Sequence, residues 1–175
     1  MTNGQEKTTQ ALWYAIQMEI DGKVFYLKAS RECSSELGKK LFESLATQED
    51  YHRQKFEQIY ENISKVSEWP VVDFKSDGGK SLRTIFAPKS NNIPPKSKMK
   101  QTELDAIQKA MQLEDKSYDL YHQRYEQAAK GPEKDFYETI AGEEREHKLI
   151  LLDYYEYMHD PAGWYVKAEH HSLDG

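Results

Sequence analysis

Cysteine is almost absent from this chain of 175 residues, in which Cys33 is the single example. One thiol cannot close a disulfide within the chain, and it cannot supply a cysteine-ligated metal cluster. The chain also has little continuous hydrophobic sequence. The longest apolar run is "LILL", and the N-terminal "MTNGQEKTTQ" contains no hydrophobic stretch. Neither a secretion signal nor a membrane span is therefore expected, and we predict a cytoplasmic protein that does not bind membranes.

Basic charge is also scarce. The chain has 24 lysines and arginines against 30 aspartates and glutamates, which gives a formal net charge of −6. The basic residues form no dense block of the kind that contacts phosphate backbones, so no nucleic-acid partner is predicted. An acidic chain instead attracts cations.

Proline is concentrated in one part of the chain, because four of the six prolines fall between residues 70 and 95. Elsewhere, apolar residues recur every three or four positions, which predicts long helices over about residues 9–33, 36–64, 102–129 and 132–159. Short turns join the first two helices and the last two, so each pair should form an antiparallel hairpin. We predict an all-α, antiparallel four-helix bundle over residues 1–160, with a long crossover at 66–101 and a C-terminal tail at 161–175.

The two predicted hairpins look like copies of each other. The polar residues that interrupt the apolar stripe of the first hairpin recur in the second hairpin 95 positions later in the sequence. The shift maps Glu19, Tyr26, Glu49 and His52 onto Glu114, Tyr121, Glu144 and His147. Each hairpin therefore carries one isolated Glu and one Glu-x-x-His pair.

The spacing of these residues places them at one level of the bundle. In each half the isolated Glu precedes the Glu of the pair by 30 residues, and the midpoints, at residues 34 and 129, are the predicted turns. Two residues equidistant from a turn lie level across the hairpin, here about 22 Å from the end of the bundle. Pairing the hairpins then brings four carboxylates and two imidazoles together near the middle.

Four carboxylates removed from water repel one another, and unpaired buried charge is costly. Two divalent cations would cancel the four charges. Oxygen and imidazole ligands without thiolate suit iron or manganese, and this ligand set is typical of di-iron carboxylate bundles. We therefore predict two iron ions, with manganese or zinc as substitutes.

A further Glu-x-x-His in the same sequence shows that the motif alone is weak. Glu156 and His159 have the same spacing, and Glu126 lies 30 residues upstream of Glu156. Their midpoint, Ala141, falls inside a predicted helix, so no hairpin can bring Glu126 and Glu156 level. We interpret this third set as chance.

At this point the chain resembles the rubrerythrin-like branch of the ferritin-like di-iron proteins. The resemblance lies in "QMEIDGKVFY", "ATQEDYH", "QLEDKSYDLY" and "AGEEREH". It implies a ferritin-like bundle in which the isolated glutamates are terminal ligands, the paired glutamates bridge two metals, and each histidine caps one metal. The resemblance also implies oxidation by peroxide or dioxygen, a place in oxidative-stress defence and a homodimer. Because the rubredoxin domain of rubrerythrins proper is missing, electrons should come from another protein, such as a rubredoxin.

One ligand position departs from the family's pattern. Rubrerythrins have an additional Glu ligand one turn after the isolated Glu of the third long helix, where this chain has Ser117. Gly22 occupies the matching place in the first half. The departure puts a peroxidase mechanism that depends on this ligand in doubt.

The sequence leaves two questions open. Tyr26 and Tyr121 face the same interior as the ligands, either as core residues with satisfied hydroxyls or as donors of a hydrogen bond or an electron to the centre. The function is also open among three classes: a peroxidase- or oxidase-like enzyme, a ferroxidase-type iron-handling protein, and a bundle that its metals only staple together.

Overall fold

A computed structural model describes residues 3–66, 68–86, 101–164 and 166 of the chain. It contains four long helices and one short one. They are α1 (Asn3–Glu32), α2 (Glu36–Val66), α3 (Lys80–Phe86), α4 (Gln101–Gln127) and α5 (Pro132–His159). No strand occurs among the described residues, which confirms the prediction of an all-α helical bundle.

The long helices pack as two hairpins. α1 lies along α2 and α4 lies along α5, and much sparser backbone contacts join α1 to α4 and α2 to α5. The second turn contains Gly131, whose φ of 140° lies in the region that favours glycine. Pro132 follows in the first turn of α5, where its fixed φ suits a helix start and its missing N–H has no intrahelical acceptor.

Hydrophobic side chains form one layer toward each end of the bundle. The layer near the α1–α2 turn includes Leu41, Leu45, Ile107 and Leu151. The layer near the α4–α5 turn includes Leu12, Phe56, Ile59, Phe136 and Ile140. Both layers are largely inaccessible to water, so they stabilise the bundle by apolar burial and enclose the polar level between them.

The short helix α3 was not predicted, because seven residues are too few to show a helical period. Asp77 caps it, since its carboxylate accepts hydrogen bonds from the backbone N–H groups of Lys80 and Ser81 at 3.1 and 3.0 Å. Leu82 is fully buried and anchors α3 to the bundle. The remainder of the predicted crossover, residues 67 and 87–100, and most of the predicted tail, residues 165 and 167–175, lie outside the described residues.

Within the described ranges, none of the helices combines the length and the apolar character needed to cross a membrane.

Gly38 on α2 provides a test of the packing at the α1–α2 turn. A Cβ atom added there would overlap the hydroxyl of Tyr154 and the thiol of Cys33. We expect Gly38→Ala to lower the free energy of unfolding by about 1–3 kcal/mol, the usual cost of overpacking, as measured by chemical denaturation.

Gly142 on α5 is the matched control, because an added Cβ meets nothing within 4 Å. Gly142→Ala should raise the free energy of unfolding by about 0.5–1 kcal/mol, since alanine loses less backbone entropy in a helix. Equal stability changes in the two variants would contradict the described packing.

Candidate metal centre

All six predicted ligands lie in the middle of the bundle, between the two hydrophobic layers. Each of these residues is at most 3% exposed. The side chains are Glu19 from α1, Glu49 and His52 from α2, Glu114 from α4, and Glu144 and His147 from α5. The structure therefore brings together residues that are up to 128 positions apart in the sequence.

The six residues form two overlapping groups, each with the geometry to surround one ion. One group is Glu19, Glu49, His52 and Glu144, and the other is Glu49, Glu114, Glu144 and His147. Within each group, one ligand atom per residue lies within 4.8 Å of all the others. Glu49 and Glu144 occur in both groups, which is the position that a bridging carboxylate needs.

Both imidazoles turn the same ring nitrogen toward the carboxylates. His52 Nδ1 lies 3.1 Å from a Glu144 oxygen and 3.5 Å from a Glu19 oxygen. His147 Nδ1 lies 3.3 Å from Glu49 and 3.5 Å from Glu114. The two rings stack with their centroids 5.5 Å apart, so the centre has an approximate twofold symmetry.

Several ligand atoms are buried without a hydrogen-bond partner among the described residues. They are Glu19 Oε2, Glu49 Oε1, both oxygens of Glu144 and Nδ1 of both histidines. Buried polar atoms are almost always paired, because removing them from water without compensation is costly. Oxygen and imidazole donors that face one another without sulfur fit iron or manganese, which would satisfy all of these atoms together.

The protonation of the cluster reflects the crowding of negative charge. Burial, together with repulsion from Glu19 and Glu114, raises the pKa of Glu49 to about 8. The same causes hold the pKa of Glu144 well above its usual value. Burial alone would lower the pKa of His52, yet its contact with Glu19 raises that pKa to about 9. Without metal, protons therefore balance part of the charge.

Two tyrosine hydroxyls hold the isolated glutamates from the opposite hairpin. Tyr26 on α1 donates a hydrogen bond to Glu114 on α4, and Tyr121 on α4 donates one to Glu19 on α1. Burial and the neighbouring carboxylates raise the pKa of both phenols well above the usual value, so both remain protonated donors. The structure thus shows these tyrosines as hydrogen-bond donors to the ligands. Their role as electron donors stays a prediction.

Three polar residues near the histidines were not predicted from the sequence. Gln48 Oε1 lies 3.0 Å from His147 Nε2. Glu143 is buried and accepts a hydrogen bond from the hydroxyl of Ser76. The shift of 95 residues also relates Gln48 to Glu143, so the repeat contained a signal for two of the three. Ser76 could not be found, since it lies in the crossover outside the repeat.

A cavity of about 340 Å³ reaches the centre from the side where α1 and α4 face each other. Ser117, the position that departs from the family's pattern, lines it together with Gly22, Glu49 and Glu114. A Cβ atom at Gly22 would come within 2.8 Å of Glu49 Oε2. The glycine therefore leaves this carboxylate accessible from the cavity.

Comparison with known proteins agrees with this geometry. The family model described as Rubrerythrin matches residues 10–155. The chain belongs to the rubrerythrin family. Its membership supports a di-iron carboxylate protein and iron binding, and the rubredoxin domain is not evident in the chain.

A solved structure from Thermotoga maritima, described as a ferritin-like diiron-carboxylate protein, is similar with a TM-score of 0.56. The match is 24% identical and covers 88% of this chain and 95% of the other. At this identity the likeness shows the fold, a ferritin-like helical bundle. No curated protein matches the chain.

Binding of divalent metal should depend on pH, because the ligands must lose protons first. The raised pKa values of Glu49 and Glu144 mean that these carboxylates still bind protons at neutral pH. We expect Mn²⁺ affinity to increase as pH rises toward 8, by about tenfold per pH unit for each proton displaced. Calorimetric titrations in two buffers with different ionisation enthalpies would count the protons released. An affinity that is independent of pH would contradict the raised pKa values.

Proposed function

We propose that this protein binds two iron ions between its hairpins and reduces peroxide or dioxygen with electrons from an external donor protein, such as a rubredoxin. The observation that carries the proposal is the pair of overlapping ligand groups, in which several buried oxygens and ring nitrogens have no hydrogen-bond partner in the described part of the chain. Burying such a set of carboxylates without cations costs free energy, and two bound cations would offset this cost.

Each ligand has a role in this proposal. Glu19 and Glu114 are terminal ligands, each held by a tyrosine of the opposite hairpin. Glu49 and Glu144 would be the bridging ligands, because they are the members common to both groups. His52 and His147 would each hold one metal through Nδ1. When bound, the iron pair supplies two electrons, so that hydrogen peroxide, two protons and two electrons give two molecules of water.

The protein contributes positioning and access to this chemistry. Tyr26 and Tyr121 fix one oxygen of each terminal carboxylate, and the other oxygen lies 3.5 Å from Nδ1 of a histidine, where it could hold a metal. The cavity lined by Gly22 and Ser117 gives a small oxidant a route to Glu49 and Glu114. The two hydrophobic layers exclude water above and below the centre.

A second candidate function is ferroxidase-type iron handling, in which iron is oxidised and passed on without steady turnover. Ser117 favours it, because the cavity lacks the additional carboxylate that the rubrerythrin resemblance would place there. A bundle that its metals only staple is the third candidate, consistent with the sparse contacts between the hairpins.

Several expectations accompany the proposal and stay predictions. They are a homodimeric assembly, a cytoplasmic location, a place in oxidative-stress defence, manganese or zinc as substitutes for iron, and the division into a bundle at residues 1–160 and a tail at 161–175.

The variant Glu144→Gln tests the bridging role. In the apoprotein it removes one of four crowded carboxylates, so the melting temperature should stay equal or rise. In wild type, metal at about 100 times Kd should stabilise the fold by about 2.7 kcal/mol per site, or roughly 5–10 °C. The variant should lose most of this increase.

Glu156→Gln is the matched control, since Glu156 belongs to the Glu-x-x-His set that we interpret as chance. None of the metal-competent groups found among the described residues contains Glu156 or His159. The control should keep the full metal-dependent increase in melting temperature and a stoichiometry of two metals by elemental analysis. Loss of metal in both variants, or in neither, would refute the assignment of Glu144.

Stopped-flow mixing distinguishes the three candidate functions. Anaerobic, Fe²⁺-loaded protein is mixed with hydrogen peroxide or with dioxygen, with and without a reduced rubredoxin, and absorbance and oxidant consumption are followed. The redox-enzyme proposal expects many turnovers with the donor and one without it, and Glu144→Gln should lose this turnover. Oxidation of each iron pair once, even with the donor present, would favour iron handling. A ferrous centre that reacts with neither oxidant would favour the third candidate, a bundle whose metals only hold the helices together.

A further inference from the structure

The two histidines of the centre have different polar groups behind them. Gln48 immediately precedes Glu49, and Glu143 immediately precedes Glu144, so the repeat of 95 residues places an amide in one half where the other has a carboxylate. Each of these residues lies near the histidine of the opposite hairpin. Gln48 on α2 contacts His147 on α5, with 3.0 Å between Oε1 and Nε2. An amide oxygen can only accept, so Nε2 of His147 carries the proton.

Glu143 occupies the equivalent place behind His52. It is 5% exposed, and its carboxylate lies within 4.8 Å of a ring nitrogen of His52 and of one of His147. Gln48 already contacts Nε2 of His147, so the partner left for Glu143 is His52. His52 Nε2 is buried and has no hydrogen-bond partner in the described ranges. A small rotation of the Glu143 side chain, or one bridging water molecule, would complete the contact that the repeat predicts.

The crossover segment holds both groups in place. Ser76 donates a hydrogen bond to Glu143, and the amide nitrogen of Gln48 donates one to Ser81 on α3 at 3.3 Å. Each residue is therefore fixed on the side away from its histidine.

We propose that Gln48 and Glu143 are positioning residues that make the two metal sites unequal, so that the site capped by His52 binds metal first. This inference rests on the proposed di-metal function. The ligands themselves cannot produce the difference, because Glu19 and Glu114, the two bridging glutamates, the two histidines and the two tyrosines are pairwise identical under the repeat. The groups behind the histidines are not identical.

The physical reason lies in the chemistry of the two partners. Once the Glu143 carboxylate accepts the Nε2–H bond of His52, directly or through a water molecule, it would fix the tautomer with a free Nδ1 lone pair. Its negative charge would also strengthen the attraction of a cation. The Gln48 amide fixes the same tautomer of His147 without adding charge. Partners of this kind typically change metal affinity by about 10–100-fold, so the His52 site should bind at least about tenfold more tightly.

Addition of one equivalent of Co²⁺ to the full-length apoprotein tests this order of binding. With ¹⁵N-labelled histidine, paramagnetically shifted NMR signals identify which imidazole holds the ion. The wild type should show mainly the His52 signal. Glu143→Gln and Gln48→Glu should each give both signals in similar amounts, since each variant makes the two partners alike. The double exchange Gln48→Glu/Glu143→Gln should move the signal to His147.

Glu146→Gln is the matched control on the same helix. It removes the same charge, but Glu146 pairs with Arg83 at the surface, so the preference for His52 should persist. If Glu143→Gln fails to fold, Gln48→Glu tests the same claim from the other side.

Two outcomes separate this inference from the function on which it depends. A wild type that takes up two Co²⁺ ions but divides the first equally between the histidines would overturn the inference and leave the metal centre standing. Saturation below two ions, or a first ion bound at neither imidazole, would refute the metal centre and the inference with it.

Discussion

The central constraint on this structure is the mutual repulsion of four carboxylates that are buried in the bundle, away from water. Glu19, Glu49, Glu114 and Glu144 come from both hairpins and face one another within the bundle. Apolar burial toward both ends holds the helices together around this level, and protons or cations must balance its charge. Because each ligand group contains residues of both hairpins, metal binding and the joining of the two halves are linked.

Hydrogen bonds across the hairpins reinforce this link. Each terminal carboxylate depends on a tyrosine of the other half, and each histidine faces a polar group of the other half. A hairpin by itself would lose the partners of its own ligands and would expose its apolar stripe to water. The intact bundle thus positions the ligands before any ion arrives, which lowers the entropy that binding must overcome.

Much of the centre could be predicted from the sequence, because two constraints act on the same residues. The helical period placed Glu49 and His52 on one face, and the distance to the turn placed Glu19 level with them. Two features of the structure could not be predicted from the sequence, each for a physical reason. α3 has too few residues for a period, and it owes its place to the Asp77 cap and the burial of Leu82. The contact of Ser76 with Glu143 joins parts of the chain that no local pattern relates.

The repeat of 95 residues has a consequence for how such a centre can change over evolution. If two separate copies of one hairpin formed the bundle, every substitution would appear twice, and the pair of sites would have to remain equal. Joining both hairpins in a single polypeptide removes that restriction. Gln48 and Glu143 differ in this way, with an amide in one half and an acid in the other, a difference that an assembly of two identical halves could not keep on one side alone.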